Sequence, residues 1–421
     1  MGPTEQALAD LLEELRSLDV ADADLRTALG HYFPLSRSEG DRSVDYFRDG
    51  EVALSAAYRR DGLIRELLPG PWLSEGKLDD LRQSLRRSLL TPVSRITRSV
   101  QFGLLPCTGA WRYRDRFQIL PVPPEAPQPP QLLTNQPFVL EVRYDGVEDP
   151  IENPMLEIRR ADEAVTEVGL VLAGLLPRIY FTPASGSASA WGIELGTGEA
   201  HRSKWVQLGY TFPGFNIRAN DFTDASGLPS PRFIDVGEFY GRRGISLDDQ
   251  AIDLPDDLEH PLDAFFALSP DDSKRFLHWC FWLNHAKQAG PLARSAAHIA
   301  VVQAIEALMP RAEDSGRCPT CGQAHGPGPT ARFADFLREF APSEDQEGDQ
   351  ERGHKELYSL RSALTHGGKL LQEELFGRGA DLHPQQIHED AVLGRARSLT
   401  QVAGVNWLMS RAPESGLPPS A

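Results

Sequence analysis

Cysteine is scarce in this chain, with four residues among 421: Cys107, Cys280, Cys318 and Cys321. That is too few for a disulfide framework at this length, and two of them form a Cys-x-x-Cys, so a reducing compartment fits. Long apolar runs are missing as well; none approaches the roughly 18–20 residues that span a bilayer. The first residues carry Glu5, Asp10, Glu13 and Glu14 on a helical pattern, without the basic start and apolar stretch of a signal peptide, so a cytoplasmic protein with no membrane association is expected. Basic residues are in deficit, 43 Lys and Arg against 60 Asp and Glu, for a formal net charge of −17. Such a field repels a phosphate backbone at long range, which argues against a nucleic-acid-coating role; any nucleic acid handled here is captured by a small local site rather than a broad electropositive surface. No Walker A lysine motif is present, and Gly196-Thr-Gly198-Glu-Ala-His201 lacks the third glycine of a dinucleotide fingerprint. Ser185-Gly-Ser-Ala-Ser189 reads as a loop and forms no nucleophile elbow.

What remains is an ordinary globular composition, 41% hydrophobic and 24% charged, in a chain longer than one core serves. Leu8, Leu11, Leu12 and Leu15 recur at helical spacing within residues 4–31, with Gly30 as the expected stop. Residues 42–60 suit a hairpin around Asp49-Gly50. Leu78 to Leu90 reads as a basic amphipathic helix with Arg82, Arg86 and Arg87 on its polar side. Six prolines between Pro121 and Pro130 form the clearest linker. Beyond it come a strand over Phe138–Tyr144, a turn at Asp145-Gly146, a helix over 152–176 and short strands at 178–181, 190–195 and 204–210. These features predict a mixed helical region over 1–120 and an α+β or β-rich domain over 131–250, whose roles composition does not specify.

From about residue 265 to 412 the texture becomes helical. Asp271 and Ser273 are candidate caps for a helix bearing Phe276, Trp279, Cys280, Phe281 and Trp282, whose aromatic residues suit a core or a dimer interface. Pro291 suits the first turn of the next helix, with Ile299, Val302, Ile305 and Leu308 on one face. A third helix holds Phe333, Phe336, Leu337 and Phe340. Acidic residues 343–352 read as a loop, a fourth helix spans about 354–365 and stops at Gly367-Gly368, and a fifth runs over about 384–410. Five helices with irregular connections predict a bundle, and α+β is the expected class of the whole chain.

The segment Leu357-Tyr-Ser-Leu-Arg361-Ser-Ala-Leu-Thr-His366-Gly-Gly carries the strongest chemical signal. Five positions along a helix turn the direction by about 140°, so Arg361 and His366 do not share a face while the helix continues. Two glycines after His366 predict an ending that frees the imidazole to move toward the arginine. A guanidinium that clamps phosphate beside a titratable imidazole is what acid–base cleavage of RNA requires. This Arg-x-x-x-x-His, with Tyr358 three residues before the arginine and glycine after the histidine, resembles the signature of the HEPN superfamily, and most closely its ApeA-like branch. Ala304-Ile-Glu306-Ala-Leu308 resembles that branch's second helix. The resemblance covers roughly the last 140 residues and implies an all-helical domain that acts as a homodimer and cleaves RNA without a metal, with the 2′-hydroxyl attacking. Arg361 would stabilise the phosphorane-like charge and His366 would serve as general acid/base, with Glu306 and Tyr358 in support. Bacterial anti-phage defence or a toxin-like stress response is the implied setting. A non-catalytic HEPN module that binds RNA or protein is the alternative.

Cys318-Pro-Thr-Cys321-Gly-Gln-Ala-His325 resembles half a zinc knuckle. Two thiolates at this spacing hold one ion, with His325 a candidate third ligand and His354 or a carboxylate a fourth. A symmetric dimer could instead pool two pairs into one four-cysteine site, and a loop with two free thiols is the plain alternative. Zinc would then be structural; no cofactor is expected for the chemistry.

Overall fold

The computed structural model describes residues 2–126, 136–177, 179–180, 191–195, 204–208, 212–241, 250–290, 293–310, 328–342, 347–366, 368–371, 374 and 384–412. The fold is α+β, with the sheets in the N-terminal half and helices in the C-terminal region. Contacts divide the chain into two units. The first comprises Met1–Arg98, Val142–Val165 and Asn216–Thr223, and the second Ser99–Glu141, Thr166–Phe215 and Asp224–Ala421.

In the first unit, residues 4–31 form two helices, α1 (Pro3–Ser17) and α2 (Asp22–Tyr32). Asp19 breaks them apart at φ 58, and α2 passes through Gly30, whose expected role as a stop is thereby corrected. Leu8, Leu11, Leu12 and Leu15 line the buried face of α1, each contributing about 1.5–3 kcal/mol on leaving water. A four-stranded antiparallel sheet follows in sequential order: β1 (Leu35–Ser38), β2 (Ser43–Arg48), β3 (Glu51–Tyr58) and β4 (Ile64–Pro69). The expected hairpin is present, with Asp49 at φ 54 and Gly50 at φ 83 supplying the left-handed pair that matches strand twist. Helix α3 (Glu75–Leu90) buries Leu78, Leu81, Leu85 and Leu89 in the same core. Its arginines are engaged locally: Arg82 donates to the Ala7 carbonyl at 2.8 Å, and Arg86 pairs with Glu14 at 2.7 Å.

Strands β5 (Val93–Gly103), β6 (Trp111–Tyr113), β7 (Phe117–Pro121) and β8 (Gln136–Gly146) follow, with Asp145-Gly146, expected as a turn, forming the last two residues of β8. Helix α4 (Pro154–Leu175) comes next, then β9 (Ile179–Tyr180), β10 (Trp191–Leu195), β11 (Lys204–Leu208) and β12 (Arg218–Ala219). The second sheet has the order β12-β5-β8-β7-β6, with β9 paired to β5, while β10 and β11 form a separate antiparallel pair. Short elements β13 (Phe233–Ile234), α5 (Val236–Gly241) and β14 (Leu254–Pro255) lead to the helices.

The helical region holds α6 (Glu259–Phe266), α7 (Pro270–Ala289), α8 (Arg294–Leu308), α9 (Pro329–Phe340), α10 (Glu347–His366) and α11 (Pro384–Arg411). The cap of α7 is Ser269, two residues before the expected Asp271 and four before Ser273; its hydroxyl accepts from the Asp272 amide at 3.2 Å. Phe276 and Trp279 stack at 5.0 Å and Phe276 lies parallel to Trp407 of α11 at 6.4 Å, forming the aromatic centre of this core. Phe281 is exposed instead. Helix α10 begins at Glu347, inside the stretch expected to be a loop. Among the described residues no helix is long and apolar enough to cross a membrane. Pro291 and Gly367 lie outside the described residues.

Candidate functional site

Helices α8 and α10 pack together, and three of the four residues singled out on them for RNA chemistry (Glu306, Tyr358 and Arg361, with His366 apart) meet. Glu306 lies two residues from the end of α8, and its carboxylate accepts from three donors: the Tyr358 hydroxyl at 3.2 Å on Oε1, and Gln303 Nε2 at 2.7 Å and Arg361 Nη2 at 3.1 Å on Oε2. Tyr358 and Arg361 are one turn apart on α10, so both reach the same partner. The guanidinium carbon also stands 5.7 Å from the centre of the Tyr358 ring, within cation–π range. Burial, then the adjacent Glu306 carboxylate, raises the Tyr358 pKa, so its hydroxyl stays a donor; Arg361 acts in the opposite direction. Phe333 of α9 packs against the same ring at 5.2 Å. Both ionic side chains are mostly shielded, Arg361 at 17% and Glu306 at 25% exposure, which strengthens their attraction over that of a surface pair. The Arg361 Nε is buried without a hydrogen-bond partner among the described residues.

His366 is the last residue of α10 and is exposed. The helix stays continuous through it, so the side chains of Arg361 and His366 leave the axis about 140° apart. Among the described residues His366 has no hydrogen bond or ion pair, and Arg361 turns to Glu306 rather than to the imidazole. Two residues that patterning did not single out support the site. Gln303 precedes Glu306 by one turn and holds its carboxylate. His298, fully buried on α8, makes a 3.1 Å hydrogen bond through Nε2 to the Leu357 carbonyl of α10. Desolvation lowers the His298 pKa, keeping the ring neutral, so Nε2 is the donor. A histidine among the alanines and valines of α8 was the available signal, and it fastens the two helices that carry the constellation.

Cys318, Cys321 and His325 lie outside the described residues, as do the Gly196–His201 and Ser185–Ser189 segments. His354, the other candidate ligand, is buried on α10 and hydrogen-bonds the backbone of Ala334 in α9. Burial, followed by Arg395 and Arg338, lowers its pKa. Cys107 and Cys280 are free thiols. No family model, characterised protein or solved structure matches this chain.

Proposed function

We propose that the helical region is a HEPN-type domain and that the protein is a metal-independent endoribonuclease acting as a dimer, in the cytoplasm of a bacterium, in anti-phage defence or a toxin-like response. The observation that carries this reading is the joint grip of Glu306 on Tyr358 and Arg361, which orients the arginine one turn before the helix end where His366 stands exposed. In the proposed reaction the 2′-oxygen attacks phosphorus and the bond to the 5′-oxygen breaks. A base accepts the 2′-hydroxyl proton, and an acid supplies one to the departing 5′-oxygen. Arg361 offers N–H donors to the oxygens on which charge builds. His366 is the candidate for proton transfer.

The expected result is cleavage of labelled RNA in the presence of EDTA, lost in both Arg361→Ala and His366→Ala while the circular-dichroism spectrum is unchanged. Members of one catalytic unit each cost nearly as much as the whole. Undiminished cleavage in both variants would refute the assignment. One observation favours a second reading, a non-catalytic module for RNA or protein: a guanidinium committed to Glu306 has fewer donors left for phosphate. Under that reading RNA is bound without cleavage by the wild-type protein.

A further inference from the structure

The first unit contains a cleft of about 480 Å³ whose rim carries Arg26 of α2, Arg42 between β1 and β2, and Arg59 and Arg60 in the turn after β3. Among the described residues no Asp or Glu lines it, and none of the four arginines pairs with a carboxylate. Elsewhere in the same unit arginines are matched to acids: Arg86 to Glu14, and Arg159 and Arg160 to Asp24. In a chain with 60 acidic against 43 basic residues, a cleft lined by four arginines and, among the described residues, by no carboxylate runs against the composition, although Arg59 also borders a neighbouring cleft that Asp19 and Asp22 line. The like charge of the four arginines gives the cleft a locally positive potential, which an entering anion would neutralise. The inner wall adds neutral donors. Tyr46 and Tyr58 bring their hydroxyls within 3.5 Å of each other, and the Arg26 guanidinium lies 5.9 Å from the centre of the Tyr58 ring. Burial foremost, with the neighbouring phenol adding to it, raises the Tyr46 pKa, so that hydroxyl carries its proton.

The geometry points to a binding site for the phosphate groups of a nucleotide-sized ligand, separate from the residues of the helical region. Guanidinium forks match phosphate oxygens in pairs, and the volume falls within the roughly 300–1,000 Å³ of small-molecule sites. The same chemistry could come from a free nucleotide or from the 5′-phosphorylated end of an RNA. This inference does not rest on the nuclease reading.

Its test is calorimetric titration of full-length Arg361→Ala protein with pyrophosphate at constant ionic strength, so that neither cleavage nor that arginine contributes. Saturable binding is expected, weakened at least about tenfold in a further Arg42→Ala/Arg59→Ala variant. Arg65→Ala, which removes an exposed arginine already paired to Glu66, should leave the affinity unchanged. All four arginines of the rim are exposed, so thermal unfolding of the variants should match that of the parent. ATP displaced by pyrophosphate would identify a free nucleotide as the ligand. A 5′-phosphorylated oligoribonucleotide that pyrophosphate displaces, and that binds better than its 5′-hydroxyl form, would identify an RNA end. Absent pyrophosphate binding, or equal binding by the double variant, overturns the site.

Discussion

Glu306 satisfies three donors with one carboxylate, so removing it leaves Tyr358, Gln303 and Arg361 without their common acceptor. Glu306→Ala should therefore lower stability by about 1–3 kcal/mol, read from urea midpoints. Glu306→Gln keeps an acceptor and discards the charge. If Glu306 positions Arg361, this variant should lower kcat by up to about a hundredfold with little change in KM, since misplacement of a reacting group acts on the chemical step. An unchanged kcat would make the ion pair purely structural. A second residue gives a pH signature. Lys287 donates through Nζ to the carbonyls of Ala173, Leu176 and Ile179, the latter two at 3.0 and 3.2 Å. Burial lowers its pKa to about 7; Cys280 opposes that shift and Arg397 adds to it. The unfolded chain holds this proton up to the ordinary lysine range, so above about pH 7 it binds more protons than the native protein, and stability rises with pH. Between about pH 7 and 8, largely before the thiols of Cys107 and Cys280 or the tyrosines titrate in the unfolded state, the gain should be about 1 kcal/mol. The same series on Lys287→Met should lack that slope; an identical slope would mean that another group causes it.

At the level of elements, the leucine stripes of α1 and α3, the hairpin turn at Asp49-Gly50 and the helix over α4 were legible because each follows from local periodicity or turn chemistry. The start of α10 was not. Gly348, Asp349 and Gly353 look like loop residues, yet Gly353 sits where Arg395 of α11 crosses, and an added Cβ would lie 3.0 Å from its guanidinium. That contact is with the far end of a flexible side chain; it shows that α10 packs against α11 there, which neither segment reveals alone. Gly404 is the stronger case, because a Cβ there would overlap the Trp279 ring. Gly404→Ala should destabilise the protein by about 1–3 kcal/mol through overpacking, measured by thermal or urea unfolding. Trp279→Phe removes part of the obstructing ring, so the double variant should cost less than the sum of the two single changes. Strict additivity would show that the contact between α7 and α11 is looser than its geometry implies.

At the scale of the molecule, the first unit gathers three separated stretches, and β5, β8 and α4 each run from one unit into the other. A linear reading into blocks 1–120, 131–250 and 265–412 has no way to express such a division, since composition changes along the chain while contacts return to it. The candidate site was legible in part for the same reason. Arg361, His366 and Tyr358 share one local phrase, and Glu306 was marked in another, but that Arg361 would face Glu306 rather than His366 depended on how α8 meets α10. This arrangement sharpens the case for a shared site. The Arg-x-x-x-x-His helix of one chain brings one histidine, His366, to this site, whereas cleavage by proton transfer ordinarily needs one group to accept a proton and another to donate one. A two-fold interface duplicates every residue, and so would bring two arginines and two histidines to one RNA. Mixing Arg361→Ala protein with His366→Ala protein, each inactive alone, should then restore part of the cleavage, because the mixed dimer keeps one native copy of each residue. Light scattering at micromolar concentration should report the dimer. A protein that cleaves RNA while strictly monomeric would exclude the shared site, and a stable dimer without cleavage would leave a binding module as the better description.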